Sequence, residues 1–293
     1  MTEPAPRPRV VVVDGVPMSG LVSAAEEPRA VIVAVHGGAT SSAYFDCPGY
    51  PELSLLRAAA ERGFTAIALD RPGYGASAVY ASEFADPARR VGAAFAAVDK
   101  MLGAEGRGAG LFLVGHSAGC ELALRMTTAG AEVIGVELAG TGLRYSENAR
   151  SIISEATITS RPAGLRDLLW QPTDLYPDDV LTGALSAPGV AYESEVTANW
   201  ARRDFPAIAA DVQVPVQFSV AEHESVWESS AQALASITGL FTGSPHVGLN
   251  PMGASGHNLS VGKTAGEYHA KVLSFIEECI ARCGRDRDEE EAN

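Results

Sequence analysis

Ser117 has the sequence setting that most strongly suggests chemistry in this chain. It is the central residue of GHSAG (115–119), between an apolar run that begins at Leu111 and a stretch with helical spacing of apolar residues. A serine between two glycines, where a strand turns into a helix, is typical of a nucleophile at the apex of a sharp and strained turn. Five-residue patterns of this kind also occur as ordinary turns, so the interpretation depends on partners elsewhere in the chain.

A histidine and a carboxylate later in the chain could complete a proton-transfer chain with Ser117. His257 follows Gly256 shortly before a final helical stretch, and Glu224 ends the sequence AEHE (221–224) after a buried strand-like run. In such a chain the histidine takes the serine proton, and the carboxylate holds the histidine tautomer and stabilises the imidazolium. Ser117, His257 and Glu224 are therefore candidates for such a chain.

Other residues compete for the last two roles. Glu222 and Glu137, the latter at the end of another predicted strand, remain alternatives for the acid. His246 is the alternative base, but it lies beside Pro245 and lacks a flanking glycine. His269 falls within the final predicted helix, where we expect a surface or packing residue.

The sequence HGGATSS (36–42) directly follows a predicted buried strand, Ala30 to Val35. Glycines at such a turn let backbone N–H groups approach a substrate closely. The N–H groups of Gly38 and of Ala118, the residue after the serine, are therefore candidate donors to an oxyanion. A glycine turn with a structural histidine is the plainer alternative.

Composition excludes several classes of function. The chain has 293 residues and a net charge of −14, which argues against nucleic acid and anionic membranes as partners. We expect no signal peptide, no membrane span and a cytoplasmic protein. The cysteines Cys47, Cys120, Cys279 and Cys283 lack nearby ligands for a metal site, so we expect them to be reduced thiols. We expect neither a metal nor an organic cofactor in this protein.

The order of these segments resembles the α/β-hydrolase superfamily. Along the chain come a buried strand with HGG (36–38), a strand with DRPGYG (70–75), a strand with GHSAG (115–119), and then the acid and the histidine. The resemblance implies an α/β fold with a mostly parallel eight-stranded sheet, helices on both faces and a helical cap insertion. It also implies the chain order serine, acid, histidine, with Ser117, Glu224 and His257 as the catalytic residues and the oxyanion donors at Gly38 and Ala118. Glu224 stands where the family usually has the aspartate of GEHD, and Ala221 replaces the glycine of that motif. The DRPGYG turn is expected to brace the floor of the site, without a chemical role for Asp70 or Arg71.

The resemblance suggests how the chain is divided. We expect core residues 1–141 and 208–284, a helical cap at 142–207, and an acidic disordered tail at 285–293. The cap region is rich in proline and aromatic residues. Candidate substrate-binding residues are His36, His116, Trp170, Tyr176 and Trp200, although packing of the cap on the core is the simpler interpretation for each aromatic residue.

Three element boundaries in the last third are also predicted. We expect a helix over Val226 to Ile237, a short last strand over Gly239 to Thr242, and a final helix over Ala265 to Arg282. The spacing from Glu224 to His257 fits the first two of these elements, one helix and one strand.

The leading functional hypothesis is a serine hydrolase that cleaves a small-molecule carboxylic ester or thioester through an acyl-enzyme. The chain is rich in alanine, glycine and arginine, which is typical of proteins from GC-rich bacteria. In such bacteria enzymes of this kind often serve secondary metabolism. Acyl transfer or cyclisation, peptidase or lyase chemistry, and non-catalytic binding of a small ligand remain alternatives, because a fold does not fix a reaction. The sequence leaves a homodimer open.

Overall fold

Eight strands form one sheet in the order β1-β2-β4-β3-β5-β6-β7-β8. The structure is a computed structural model that describes residues 5–155 and 162–291, with side chains up to residue 285. The strands from β3 to β8 pair in parallel, and the β1–β2 hairpin pairs antiparallel with β4. Their bounds are β1 Arg7–Val13, β2 Val16–Ser23, β3 Val31–Val35, β4 Thr65–Leu69, β5 Leu111–His116, β6 Val133–Ala139, β7 Val216–His223 and β8 Val247–Gly256.

Ten α-helices accompany the sheet among the described residues. Their bounds are α1 Leu55–Glu61, α2 Pro87–Leu102, α3 Gly119–Ala129, α4 Glu147–Glu155, α5 Leu165–Trp170, α6 Asp178–Leu181, α7 Glu193–Asn199, α8 Phe205–Ala210, α9 Ala231–Thr238 and α10 Ala265–Glu291. No helix in the described part of the chain is both long enough and apolar enough to cross a membrane.

Helices cover both faces of the sheet. Strands β3, β4, β5 and β6 are buried along their whole length, which explains their nearly continuous apolar sequences. One buried cluster joins the sheet to α2, α3 and α8, and a second joins its other face to α1 and α10. The predicted α/β fold with a mostly parallel eight-stranded sheet is confirmed.

The parallel strands bring distant loops to one edge of the sheet. Val35 of β3 lies opposite Gly115 of β5, and Gly115 lies opposite Leu138 of β6. Because parallel strands end at the same edge, the loops after β3, β4, β5, β6, β7 and β8 gather there. This edge carries every residue that we predicted to be catalytic.

Two predicted elements in the last third differ from the structure. The predicted strand over Gly239 to Thr242 is wrong, because the last strand is β8, Val247–Gly256. The predicted helix over Val226 to Ile237 begins later, as α9 at Ala231, where the side chain of Ser230 caps it by accepting a hydrogen bond from Ala233 N–H.

The final helix is longer than the sequence pattern suggested. We expected it to end at Arg282 and the tail at 285–293 to be disordered, but α10 extends to Glu291. Arginine and glutamate are good helix formers, so the segment can continue the helix without burying apolar side chains.

Between β6 and β7 the described residues form five short α-helices, α4 to α8, and a π-helical turn at Trp200–Asp204. We call residues 142–215, apart from 156–161, the β6–β7 segment. The predicted cap at 142–207 falls within it, although part of that prediction, residues 156–161, lies outside the described residues.

Candidate active site

Ser117 occupies the turn between β5 and α3 with a left-handed backbone, φ +50°. Its N–H donates to the carbonyl of Ala139 at 2.8 Å, which ties the turn to β6. A Cβ on Gly119 would lie 2.3 Å from the carbonyl oxygen of Val35, and one on Gly115 would lie 2.9 Å from Ala123 Cβ. The two flanking glycines are therefore required by close packing, as the GHSAG pattern implies.

The structure brings Ser117, His257 and Glu224 into one hydrogen-bonded chain. Ser117 Oγ lies 3.2 Å from His257 Nε2, and His257 Nδ1 lies 3.0 Å from both carboxylate oxygens of Glu224. A carboxylate can only accept, so Nδ1 carries the proton and Nε2 faces Ser117 with its lone pair. In this tautomer the histidine can accept the serine proton.

Backbone N–H groups hold the carboxylate of Glu224. Val226 N–H donates to Glu224 Oε1 at 2.8 Å, and Trp227 N–H lies 3.4 Å from the same oxygen. The indole Nε1–H of Trp227 donates to the Gly140 carbonyl at 2.9 Å, which fixes this turn against the end of β6. Sequence reasoning missed Trp227, because its contact depends on a turn that we predicted to be helical.

The competing acids and bases lie elsewhere. Glu222 Oε2 accepts from Ala254 N–H at 2.7 Å, and Glu137 Oε1 accepts from the Tyr268 hydroxyl at 3.2 Å, so neither contacts His257. His246 packs near Phe275, and His269 is fully buried in α10. The geometry thus favours Glu224 and His257 over their alternatives.

His116, next to Ser117, holds the backbone of His257. His116 Nε2–H donates to the His257 carbonyl at 3.0 Å, and the His116 ring stacks on Tyr44. Burial, together with the nearby His257 ring, lowers the pKa of His116 to about 3, so its ring is neutral. Gly140, φ +66°, leaves room for both rings, since a Cβ there would lie 3.0 Å from His257 Cε1.

The loop after β3 presents a backbone N–H group at Gly38, and the turn after β5 presents another at Ala118. Neither N–H has a hydrogen-bond acceptor among the residues that the structure describes. His36, by contrast, is fully buried and engaged on both ring nitrogens. His36 and His116, both predicted substrate-binding residues, thus make backbone contacts beneath the site.

The DRPGYG turn contacts the same loop. Arg71 Nη2 donates to the Gly37 carbonyl at 2.8 Å and to the carboxylate of Glu193 in α7. The hydroxyl of Tyr74 accepts from Ala39 N–H at 3.1 Å. Sequence reasoning gave Arg71 no chemical role and did not single out Glu193, because only the tertiary fold brings α7 to this loop.

The aromatic candidates of the β6–β7 segment pack within the protein. The Tyr176 hydroxyl accepts from Asn258 N–H at 3.2 Å, and its ring packs edge-on against Trp170. Trp200 Nε1–H donates to Thr141 Oγ1 at 2.8 Å. These contacts favour the packing interpretation for Tyr176 and Trp200, and substrate binding by the three aromatic residues stays a prediction.

Two further predictions concern the cysteines and metal binding. Cys47, Cys120 and Cys279 are buried free thiols. Within residues 5–155 and 162–291, no group of His, Cys, Asp and Glu side chains is arranged to hold a metal ion.

Comparison with known proteins places this geometry in a family. The family model described as "Alpha/beta hydrolase family" matches residues 32–268. Similar solved structures include a thermostable carboxyl esterase from Bacillus coagulans, with 15% identity, TM-score 0.67 and coverage of 94% of this chain and 99% of that one. An esterase from Rhodococcus sp. has 20% identity, TM-score 0.63 and coverage of 93% and 98%.

A thioesterase domain from the curacin biosynthetic pathway is also similar, with 17% identity, TM-score 0.61 and coverage of 92% of this chain and 100% of that domain. No curated protein sequence is significantly similar to the chain. At these identities the structural neighbours establish the fold alone, whereas the family model covers most of the sequence. The chain belongs to the alpha/beta hydrolase family.

Proposed function

We propose that this chain is a serine hydrolase that cleaves a small-molecule carboxylic ester or thioester through an acyl-enzyme on Ser117. One observation carries the proposal: the Ser117 hydroxyl, the His257 ring and the Glu224 carboxylate form a continuous hydrogen-bonded chain. Each of the three side chains comes from a different strand end, so their contact depends on the whole fold.

In the proposed reaction, His257 Nε2 takes the proton of Ser117 Oγ as that oxygen attacks the acyl carbonyl. The imidazolium that forms is stabilised by Glu224, whose side chain is almost fully buried together with His257. His257 then gives the proton to the leaving alcohol or thiol. Water, activated by the same histidine, releases the acid from the acyl-enzyme.

The developing oxyanion needs donors on the opposite side of Ser117. The N–H groups of Gly38 and Ala118 are the proposed donors, since both lack an acceptor among the described residues. Ala118 is also the N-cap of α3, whose N-terminal partial positive charge favours an anion. Removing one such donor typically costs about 3–4 kcal/mol of transition-state stabilisation.

The β6–β7 segment is the proposed cap. Its residues bond to the loops beside Ser117: Thr40 Oγ1–H donates to the Leu185 carbonyl at 2.8 Å, and the Tyr192 hydroxyl donates to the Pro72 carbonyl at 2.8 Å. Carboxyl esterases and a thioesterase domain share the fold, which supports an acyl substrate. An apolar acyl group that lies beneath this segment would be shielded from water.

The test is labelling with a fluorophosphonate probe together with turnover of a short-chain and a long-chain aryl ester. We expect labelling at Ser117 and release of the aryl alcohol. Ser117→Ala should lose both, whereas Ser42→Ala, which removes another buried hydroxyl beside the site, should keep both.

Other outcomes would change the proposal. Labelling of Ser117 without turnover of either ester would favour acyl transfer, cyclisation or another specialised reaction on the same three residues. A folded chain whose Ser117 does not react would contradict the hydrolase and favour a small-ligand-binding protein. Full activity of Ser117→Ala would overturn the assignment of the nucleophile.

A further inference from the structure

The carbonyl of Gly37 accepts two hydrogen bonds from side chains. His36 Nδ1 lies 2.8 Å from this oxygen, and Arg71 Nη2 lies at the same distance. The backbone N–H of Arg71 donates to His36 Nε2 at 3.1 Å. The Nε2 atom must then be the acceptor, so Nδ1 carries the proton and donates to Gly37.

This carbonyl belongs to the same peptide unit as the N–H of Gly38. Because a peptide unit is planar and trans, fixing the C=O direction also fixes the opposite direction of the N–H. Donors that bind the oxygen also polarise the amide and strengthen its N–H as a donor. Two donors on Gly37 therefore act on the group that the proposed function assigns to the oxyanion.

Arg71 is the charged member of this pair, and its surroundings keep it in place. Its side chain is 3% exposed, and its guanidinium lies over the Tyr74 ring at 4.7 Å. Burial lowers the pKa of Arg71, but the Glu193 carboxylate and the neighbouring Tyr192 and Tyr74 outweigh that effect and raise it overall. The guanidinium is therefore charged at every working pH.

Glu193 brings a negative charge close to the oxyanion donor. Both of its carboxylate oxygens lie 3.6 Å from the point that a Cβ on Gly38 would occupy. An unpaired carboxylate there would oppose a second negative charge on the substrate. The same Nη2 of Arg71 that binds Gly37 also binds Glu193, so one nitrogen joins the loop to α7 and offsets this charge.

We propose that Arg71 is a positioning residue for the oxyanion hole: it aims and polarises the Gly38 N–H through the Gly37 carbonyl, and it neutralises Glu193 of the β6–β7 segment. This inference rests on the proposed function, since it concerns the oxyanion of that reaction. It gives the arginine of the DRPGYG turn a role beyond bracing the floor of the site.

The test compares two substrates, p-nitrophenyl butyrate and the thionoester in which sulfur replaces its carbonyl oxygen. Sulfur is a weaker hydrogen-bond acceptor, so the thionoester draws less on the oxyanion donors. For Arg71→Met we expect kcat for the oxygen ester to fall about 10²-fold, the loss typical of one oxyanion donor. KM should change less than threefold, and the ester-to-thionoester ratio of kcat/KM should fall about tenfold.

Arg90→Met is the matched control. Arg90 is also a buried arginine that is paired with a carboxylate, Glu121, and it lies over the ring of Tyr192 at 4.4 Å, but it binds the carbonyls of Phe84 and Ala85 instead of the loop. This variant should lose stability without changing the ester-to-thionoester ratio. A fall in the ratio for Arg71→Met alone separates positioning from general destabilisation.

Glu193 supplies a second arm. In the Arg71→Met background, Glu193→Gln removes the unpaired carboxylate beside Gly38, and we expect it to restore kcat about fivefold relative to Arg71→Met. Together with Glu193→Gln in the wild-type background, these variants form a double-mutant cycle. Equal effects of Glu193→Gln in both backgrounds would contradict the neutralising role.

Arg71→Lys carries the test should Arg71→Met fail to fold. A lysine keeps the charge, but its nitrogen ends one bond short of the Nη2 position and lacks the planar guanidinium, so we expect a ratio at least threefold below wild type. An unchanged ratio in an active Arg71 variant would overturn this inference and leave the proposed function standing. A wild-type chain that turns over neither substrate and does not label at Ser117 would overturn both.

Discussion

The loops at the carboxyl edge of the sheet and the β6–β7 segment are built in different ways. The loops are anchored to buried parallel strands, and their polar groups bond to backbone, as Ser117 N–H does to Ala139. The described helices of the segment have at most nine residues, and single side chains such as Trp200 and Tyr176 join it to the core. The sheet therefore sets the site geometry, while the segment adds contacts that can be removed one at a time.

The largest effect that follows from this comparison concerns the acid. Glu224→Gln should lower kcat about 10³–10⁴-fold, because a neutral amide no longer stabilises the imidazolium or enforces the histidine tautomer. Steady-state turnover of an aryl ester measures the loss. Glu222→Gln, two residues earlier in the same turn, should lose less than threefold, and a reversed order would move the acid to Glu222.

Gly140→Ala tests how tightly the sheet edge fixes the position of His257. The added Cβ would lie 3.0 Å from His257 Cε1 and 3.1 Å from His116 Nε2, and φ is +66°. A shift of His257 of about 1 Å should cost about 10²-fold in kcat/KM. Gly183→Ala is the matched control in the β6–β7 segment, with φ +100° and no contact with the site, so its strain should lower stability alone.

A smaller effect is expected where the segment contacts the histidine loop. Tyr176→Phe leaves the N–H of Asn258 without its acceptor, which should reduce kcat about threefold and destabilise the fold by about 1–2 kcal/mol. Trp200→Phe removes the hydrogen bond to Thr141 Oγ1. It should lower the free energy of unfolding in urea by a similar amount but leave kcat unchanged. Loss of activity in Trp200→Phe would instead support its role in substrate binding.

The smallest effect concerns stability beneath the site. Burial raises the pKa of Glu137 well above 4.5, more than its hydrogen bonds lower it, so the folded chain keeps a proton that the unfolded chain has released. Stability should therefore fall as pH rises above about 4.5 toward the raised pKa. Glu137→Gln has no proton to lose, so its thermal midpoint should exceed that of wild type by ~2–4 °C at pH 8, the shift that about 1 kcal/mol gives.

The comparison with pH 4 completes this measurement. There the unfolded carboxyl is mostly protonated, so the advantage of Glu137→Gln should nearly vanish. A pH-independent difference would mean that Glu137 is ionised in the fold, which its partner Tyr268 alone does not explain.

The fold was predictable because its signals are local. Buried strands such as Ala30 to Val35 read as continuous apolar runs, and each is followed by a turn with characteristic glycines. Parallel strands end at one edge, so the positions of Ser117 and Glu224 after such strands place both residues there. The strand before His257 was not predicted, and its assignment relied on the Gly-His turn before the final helix. The sequence could not rank Glu224 above Glu222 securely, because the choice depends on N–H groups of Val226 and Trp227 in a turn of irregular backbone.

The parts that sequence reasoning missed depend on contacts between distant segments. The sequence around Glu193 gives no sign that this acid is partly buried. Its contact with Arg71, 122 residues earlier in the chain, is formed only in the folded protein. The predicted strand over Gly239 to Thr242 failed because the actual strand, Val247–Gly256, contains glycine and proline, which weaken the strand signal. Pairing with β7 outweighs that weak propensity.

The left-handed backbone of Ser117 has a consequence for how the chain tolerates mutation. A non-glycine residue at φ +50° costs of order 1–3 kcal/mol, so glycine at this position would make a more stable protein. Selection for stability alone would therefore tend to replace the serine. Under random mutagenesis with screening for thermal resistance only, Ser117→Gly should accumulate, and libraries selected for turnover should exclude it.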